Sequence, residues 1–425
     1  MREHIKKMKD LIVVGGGASG IAAAIEASHQ GISNIAILES QSSLGCKLLT
    51  TGAGKCNFTN MVLSSEDYPV AQDSELIKNL TRNLSGQYIV DWFRKIGLNS
   101  VVKENNKVYP RPEKARSLLK ILEMELRDLN VDVILSAKVT GFIRDTGKKW
   151  FSINVLNDSG EEKLYEAKNL LIATGGMTYP STGSDGNGYS LLTSSGHTLI
   201  TPVPVMVPFN CKFKGQKILH GQKISANVKL LSKGVVLHSA FGDIMFTRKG
   251  VSGLAIFELT AASPPDSYRG LELQISLFHN EFKKVDCQKK LQILAKKYPN
   301  RTLDELLTGF FPHKIIKVFV KETDRVISLS TGVDKFNGAL ENCVDTLSSI
   351  VLIIESHGGW AHGQVTSGGI SLDDITSGFQ SKIIPGLWIT GEMLNVHGLC
   401  GGYNLHFAWS SGIIAARQVA NNLSK

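Results

Sequence analysis

The stretch Leu11-Ile12-Val13-Val14-Gly15-Gly16-Gly17-Ala18-Ser19-Gly20-Ile21-Ala22-Ala23-Ala24-Ile25 decides the fold. Its four leading apolar residues read as a buried strand, and Ile21 onward reads as a helix. Gly15, Gly17 and Gly20 satisfy G-x-G-x-x-G between them, the strand–turn–helix setting that a dinucleotide fingerprint requires. Gly15 permits the tight turn, Gly17 lets the backbone approach a pyrophosphate, and Gly20 lets helix and strand pack closely. The helix N-terminus adds free N–H groups and the positive end of a dipole. A second apolar strand, Ile35-Ala36-Ile37-Leu38, ends in Glu39, which lies 19 residues after Gly20, where an acceptor for ribose hydroxyls belongs.

Composition bounds the rest. The chain has 425 residues, 42% hydrophobic and 20% charged, enough for two or three domains with real cores. No apolar run approaches the ~20 residues of a membrane span. Met1–Asp10 is charged and lacks the apolar region of a signal peptide, so a cytoplasmic location without a membrane partner is expected. Six scattered cysteines contain no C-x-x-C, which argues against a zinc ribbon, a metal site and a reductase dithiol. The net charge is +9, with lysine concentrated between Lys283 and Lys321. Few aromatics cluster there, so a solvated helix face is favoured over nucleic-acid binding.

Along the chain, residues 11–39 form a β-α-β unit, and 44–60 a Gly/Thr/Asn-rich loop. Helices are expected over 75–96 and 113–129, and strands over 131–134, 139–143, 150–155 and 168–173. Pro202, Pro204 and Pro208 suggest a boundary, followed by short β-runs to Phe278 and a basic helical stretch over 282–322. That stretch contains a capping box from Thr302 to Glu305. Strand pattern returns after Asp345, and a small-residue helix over about 407–423 closes the chain. The expected architecture is α/β: a Rossmann-like nucleotide-binding domain in two parts, 1–204 and 346–425, interrupted by a β-rich plus helical insertion over 205–345. The insertion is expected to cover the cofactor and shape the substrate pocket.

Three further glycine-rich segments carry candidate chemistry. Gly52 to Asn60 places small residues and the amides of Asn57 and Asn60 near a ring or phosphate. Ala173-Thr174-Gly175-Gly176, followed by Tyr179 to Tyr189, ends a strand in a turn-rich loop. Gly391 to Asn404 lies between a strand and a helix and presents another helix N-terminus. His397, inside it, titrates near neutrality if exposed, but a loop histidine bonded to backbone is the favoured reading. No Ser-His-Asp set is present. Gly358 to Gly363 has the wrong spacing for a second fingerprint and no following helix, so a dedicated nicotinamide domain is not expected.

The ordered set G-x-G-x-x-G, Glu39, TGAGKCNFTN (Thr51–Asn60), ATGGMTYPSTGSDGNGY (Ala173–Tyr189), FTRKGVSG (Phe246–Gly253), QVTSGGI (Gln364–Ile370) and GEMLNVHGLCGGYN (Gly391–Asn404) resembles a bacterial FAD-binding flavoprotein family. That family includes enzymes of the aminoacetone oxidase and bile-acid dehydro-steroid reductase type, on a glutathione-reductase-like FAD fold. The resemblance runs from about Leu11 to Arg417. It implies that Gly15, Gly17, Ala18, Ser19 and Gly20 hold the pyrophosphate and Glu39 the adenosine ribose. It places Lys47, Thr51, Gly54, Cys56 and Asn57 along the pyrophosphate and flavin, and Val139 at the adenine through its backbone. Thr174, Gly175 and Gly176 follow the diphosphate. Gly391 and Glu392 hold the ribityl chain, and Gly401, Gly402, Tyr403 and Asn404 face the isoalloxazine. Two positions depart from the pattern: Asn395 stands where Asp is common, and Cys46 where Arg or another polar residue is expected. The activity implied is FAD-dependent reduction of a small organic substrate such as an enone, with NADH or NADPH as a transient donor. An oxygen-dependent amine oxidase and an FAD protein acting on tRNA are the alternatives. No residue is assigned as the catalytic acid or base.

Overall fold

The computed structural model describes residues 8–145, 147, 149–261 and 268–424. These form two compact units, Met1–Val205 with Gly363–Lys425, and Met206–His362.

The first unit is built on the β-α-β core of β1 (Lys9–Val14), α1 (Ala18–His29) and β2 (Ile35–Leu38). β1 pairs in parallel with β2 on one side and with the strand Glu162–Ile172 on the other. β2 pairs in parallel with Asp132–Ile134, and Leu387–Ile389 adds in parallel to the far edge of Ile172's strand. The N-terminal half of Glu162–Ile172 instead carries an antiparallel meander through Trp150–Asn157 and Ala137–Asp145. A parallel nucleotide-binding sheet with a meander on its long central strand results. Leu11–Val14 of β1 and all of β2 are apolar and buried, as central strands of a parallel sheet are.

α1 is buried along almost its whole length, from Ser19 to Ala27. Its neighbour is the C-terminal helix Tyr403–Leu423. Small residues allow the close approach: a Cβ on Gly412 would stand 2.3 Å from the Ser19 carbonyl oxygen. Glu26 of α1 anchors the pair. It accepts from Trp92 Nε1 at 2.9 Å and from Arg417 Nε at 2.7 Å, so the buried carboxylate is fully partnered.

The second unit contains a closed antiparallel barrel. Its strand order is Phe209–Cys211, Gly250–Ser252, Val235–Phe246, Lys223–Ser232, Glu272–Ser276 and Ile350–His357. Helices Lys284–Lys297, Leu303–Leu307, His313–Phe319 and Val333–Ser348 fall between its last two strands and pack on its apolar core. The capping box is present: Thr302 Oγ1 accepts from the Glu305 N–H, and Glu305 accepts from the Thr302 N–H. The barrel explains a difference from the expected division at 345. Ile350–His357 pairs with Glu272–Ser276 and with Phe209–Cys211, so it closes the barrel, and the unit extends to His362. The segment Phe246–Gly253 is the turn and short strand that joins this barrel's hairpin, with Thr247 Oγ1 accepting from the Gly250 N–H at 3.0 Å.

Candidate functional site

One cavity in the first unit is lined by the strand-ending loops of β1, β2, Glu162–Ile172 and Leu387–Ile389. The glycines of the fingerprint divide by what demands them. A Cβ on Gly15, at φ +106°, would stand 2.4 Å from the Ala173 carbonyl oxygen. A Cβ on Gly20 would stand 2.0 Å from the Gly15 carbonyl oxygen. Both are therefore fixed by the protein's own packing. Gly17 is different: its φ of −85° suits any residue, and no described atom lies within 4 Å of its Cβ position. Gly17 lines the cavity at the N-terminus of α1, the end of a helix whose free N–H groups favour an anion.

Glu39 is buried beside this turn. Its Oε2 accepts from the Gly16 N–H at 2.6 Å, and its Oε1 accepts from the Gln41 N–H at 2.7 Å. Those bonds fix the carboxylate and leave acceptor capacity on Oε2 for a hydroxyl. Val139 lines the same cavity from the meander.

Glu392 ties together its own loop, those of Lys47 and Thr178, and the strand Val365–Ile370. Its Oε2 accepts from Lys47 Nζ at 2.7 Å, and its Oε1 from the Thr366 N–H at 2.9 Å and Thr178 Oγ1 at 3.2 Å. Lys47 Nζ also donates to Thr178 Oγ1 at 2.7 Å. Gly176 makes room for this knot, since a Cβ there would stand 2.2 Å from Thr366 Oγ1 and 2.6 Å from Glu392 Oε1. Oε1 is saturated, so the capacity left for a ligand hydroxyl is on Oε2. Gly391 precedes it in the left-handed region at φ +71°, its N–H donating to Ser411 Oγ at 3.0 Å. Ser19 Oγ donates to Thr390 Oγ1 at 2.8 Å, which joins α1 to this loop.

Of the residues expected at the site, Gly15, Gly17, Ala18, Ser19, Glu39, Lys47, Thr51, Val139, Thr174, Gly175, Gly391, Glu392 and Asn404 line the cavity. Gly20, Gly54, Cys56, Asn57, Gly176, Gly401, Gly402 and Tyr403 lie outside its lining. Gly20 and Gly176 instead hold the packing behind it. Gly402 at φ +100° caps the C-terminal helix, which begins at Tyr403, four residues before the sequence pattern suggests. Asn404 closes the preceding turn, accepting from the Gly398 N–H at 2.8 Å and donating to its carbonyl at 2.9 Å. Asn395 Oδ1 accepts from the Gly368 N–H at 3.1 Å, a role an amide fills without charge.

None of the six cysteines forms a disulfide among the described residues. Burial pushes Cys56 up to about 12, against a smaller opposing effect from its Thr51 hydrogen bond. It is fully buried and held in its thiol form. His397 is buried in its loop. Sequence reasoning passed over His406, which is fully buried, with Nδ1 2.8 Å from Thr59 Oγ1 and Nε2 3.3 Å from Ser410 Oγ. Burial drives it down to about 4, so it is neutral at physiological pH.

Two buried polar atoms near these loops, Ser184 Oγ and Asn57 Oδ1, have no hydrogen-bond partner among the described residues. Ser184 lines the cavity, and together with the open face of Gly17 it fits a large polar ligand with phosphates and hydroxyls, whereas Asn57 lies outside the lining. The comparison with known proteins agrees. Residues 9–418 match the model of the HI0933-like protein Rossmann domain. The chain belongs to the HI0933-like family, whose members are FAD-binding Rossmann flavoproteins and oxidoreductases. It is 32% identical to the 3-dehydro-bile acid delta(4,6)-reductase of Clostridium scindens over 97% of this chain and 99% of that protein. It is 25% identical to the ribosomal RNA dihydrouridine synthase of Haemophilus influenzae, over 96% and 98%. Among solved structures, the 3-ketosteroid-Δ4-(5α)-dehydrogenase of Rhodococcus jostii matches with a TM-score of 0.52 at 16% identity, covering 98% of each chain, a likeness of fold. No helix among the described residues is long and apolar enough to cross a membrane.

Proposed function

We propose that this FAD-dependent oxidoreductase reduces a carbon–carbon double bond conjugated to a carbonyl in a steroid-like enone or dienone, with NADH or NADPH as electron donor. The full-length similarity to a 3-dehydro-bile acid delta(4,6)-reductase carries this reading. The residues lining the cavity hold the cofactor: Gly15–Ser19 at the pyrophosphate, Glu39 at the ribose, and Glu392 through Oε2 at the ribityl chain. The bound flavin supplies hydride chemistry, and the chain supplies binding, orientation and electrostatics. The unit 206–362 carries substrate selection in this reading.

A second reading has specific support. Dihydrouridine also arises by saturating a double bond conjugated to a carbonyl, and two relatives are ribosomal RNA dihydrouridine synthases. Residues 206–362 contain 21 Lys and Arg against 14 Asp and Glu, so +7 of the total +9 falls in that unit. An RNA substrate would bind with a steep salt dependence. Steady-state NAD(P)H consumption separates the two. The steroid reading predicts turnover with a 3-oxo-Δ4,6 steroid and none with unmodified ribosomal RNA. NAD(P)H consumption driven by RNA, with dihydrouridine formed, would replace it with the second.

A further inference from the structure

We propose that the Ser184 hydroxyl donates a hydrogen bond to the pyrophosphate of the bound cofactor, an inference that rests on the FAD reading of the cavity but on no choice of substrate. Ser184 is 5% exposed, its Oγ has no hydrogen-bond partner among the described residues, and it lines the same cavity as Gly15–Gly17. A buried hydroxyl without a partner is unfavourable, and a ligand that supplies one removes the penalty.

The neighbours of Ser184 place it beside the fingerprint turn. Ser184 Oγ lies 3.2 Å from where a Cβ on Gly175 would stand. The Cβ position of Gly15 lies 3.1 Å from Thr174 Cα. Ser184, Thr174–Gly175 and Gly15 thus form a continuous wall that ends at the N-terminus of α1, where anions bind. The neighbouring hydroxyl is committed: Thr174 Oγ1 lies 2.8 Å from Met393 Sδ. The turn holding Ser184 is set by Gly183 at φ +90° and Gly186 at φ +82°, and the Gly186 N–H donates to the Gly176 carbonyl at 3.1 Å. Toward a phosphate oxygen, an acceptor without a proton, the serine must be the donor. A hydrogen bond to a charged group is stronger than a neutral one.

The test uses the full chain stripped of flavin, with FAD, ADP and adenosine as titrants in calorimetry. Ser184→Ala, with Ser184→Cys as a second variant, is expected to weaken FAD and ADP by the same factor, about tenfold or more. Adenosine affinity should not change, and the apoprotein's melting temperature should not fall, because the hydroxyl has no partner there. FAD and ADP affinities within twofold of wild type would overturn the proposal. So would an equal loss for adenosine, or a destabilised apoprotein, which would mark a ribose contact or a packing role. Failure of the unaltered chain to bind either FAD or ADP would overturn the cofactor reading itself.

Discussion

Gly17→Val tests whether Gly17, unlike Gly15 and Gly20, is a glycine kept for a ligand rather than for the fold. At Gly17 the backbone is extended at φ −85°, ψ −171°, and no described atom lies within 4 Å of the Cβ position. Valine therefore meets no strain and no clash in the apoprotein. The remaining effect is a poorer helix N-cap, about 1 kcal/mol or less. The ligand meets a different surface. Three carbons would project into the cavity at the start of α1 and block its free N–H groups. Losing two charge-assisted hydrogen bonds of roughly 1.5–3 kcal/mol each gives about 3–6 kcal/mol, or roughly 10²- to 10⁴-fold in FAD affinity. The protein should purify without yellow colour and melt within a few degrees of wild-type apoprotein. Gly20→Val is the contrast, because its Cβ would stand 2.0 Å from the Gly15 carbonyl oxygen, so it should fail to fold. Absorbance at the flavin maximum, FAD titration and thermal melting read all three outcomes. A Gly17→Val protein that binds stoichiometric FAD with an affinity within threefold of wild type would refute the reasoning.

Further expectations follow from the neighbouring groups. Lys47→Met and Glu392→Gln should each weaken FAD about tenfold, and the double variant should fall short of their product by a coupling of about 1 kcal/mol, since the residues share an ion pair at 2.7 Å; additive effects in FAD titrations would deny the knot a role. His406 is held near 4 in the fold against about 6.5 unfolded, so between those values the unfolded chain binds the extra proton and stability falls with falling pH by up to about 3 kcal/mol. His406→Asn should flatten that slope in denaturant melts between pH 7 and 4, and an unchanged slope would place the acid sensitivity elsewhere. Cys56→Ser with Cys400→Ser should leave stopped-flow flavin reduction by NAD(P)H largely intact, because Cys56 is a buried thiol held up at about 12; loss of reduction would point to a thiol redox centre.

The sequence disclosed what local patterns encode. The fingerprint, Glu39 and the glycine-rich strand ends sit within short windows, and their spacing alone places them at one end of a parallel sheet. Pairing between distant segments was not legible. Ile350–His357 reads as a strand, but only its register with Glu272–Ser276 and Phe209–Cys211 shows that it closes a barrel. Glu392 draws its partners from Lys47, Thr178 and Thr366, which lie up to 345 residues away. Its role as a tie between loops therefore has no sequence signature. His406 sits between Leu405 and Phe407 on the C-terminal helix, and nothing in that pattern reveals a buried imidazole between Thr59 and Ser410. The glycines illustrate the limit well: Gly15, Gly17 and Gly20 look alike in a motif, and only the neighbours of their absent Cβ atoms show which one borders open space.

The proposed reduction of a conjugated double bond by the bound flavin is tested most directly by a single anaerobic turnover. The holoenzyme is reduced with one equivalent of NADPH or NADH, then mixed with a 3-oxo-Δ4,6 steroid while flavin and dienone absorbance are followed together. Flavin reoxidation is expected to be matched mole for mole by loss of the dienone chromophore and appearance of the reduced steroid. Reduced flavin that persists beside unchanged dienone, and reoxidises only when oxygen is admitted with release of peroxide, would contradict it.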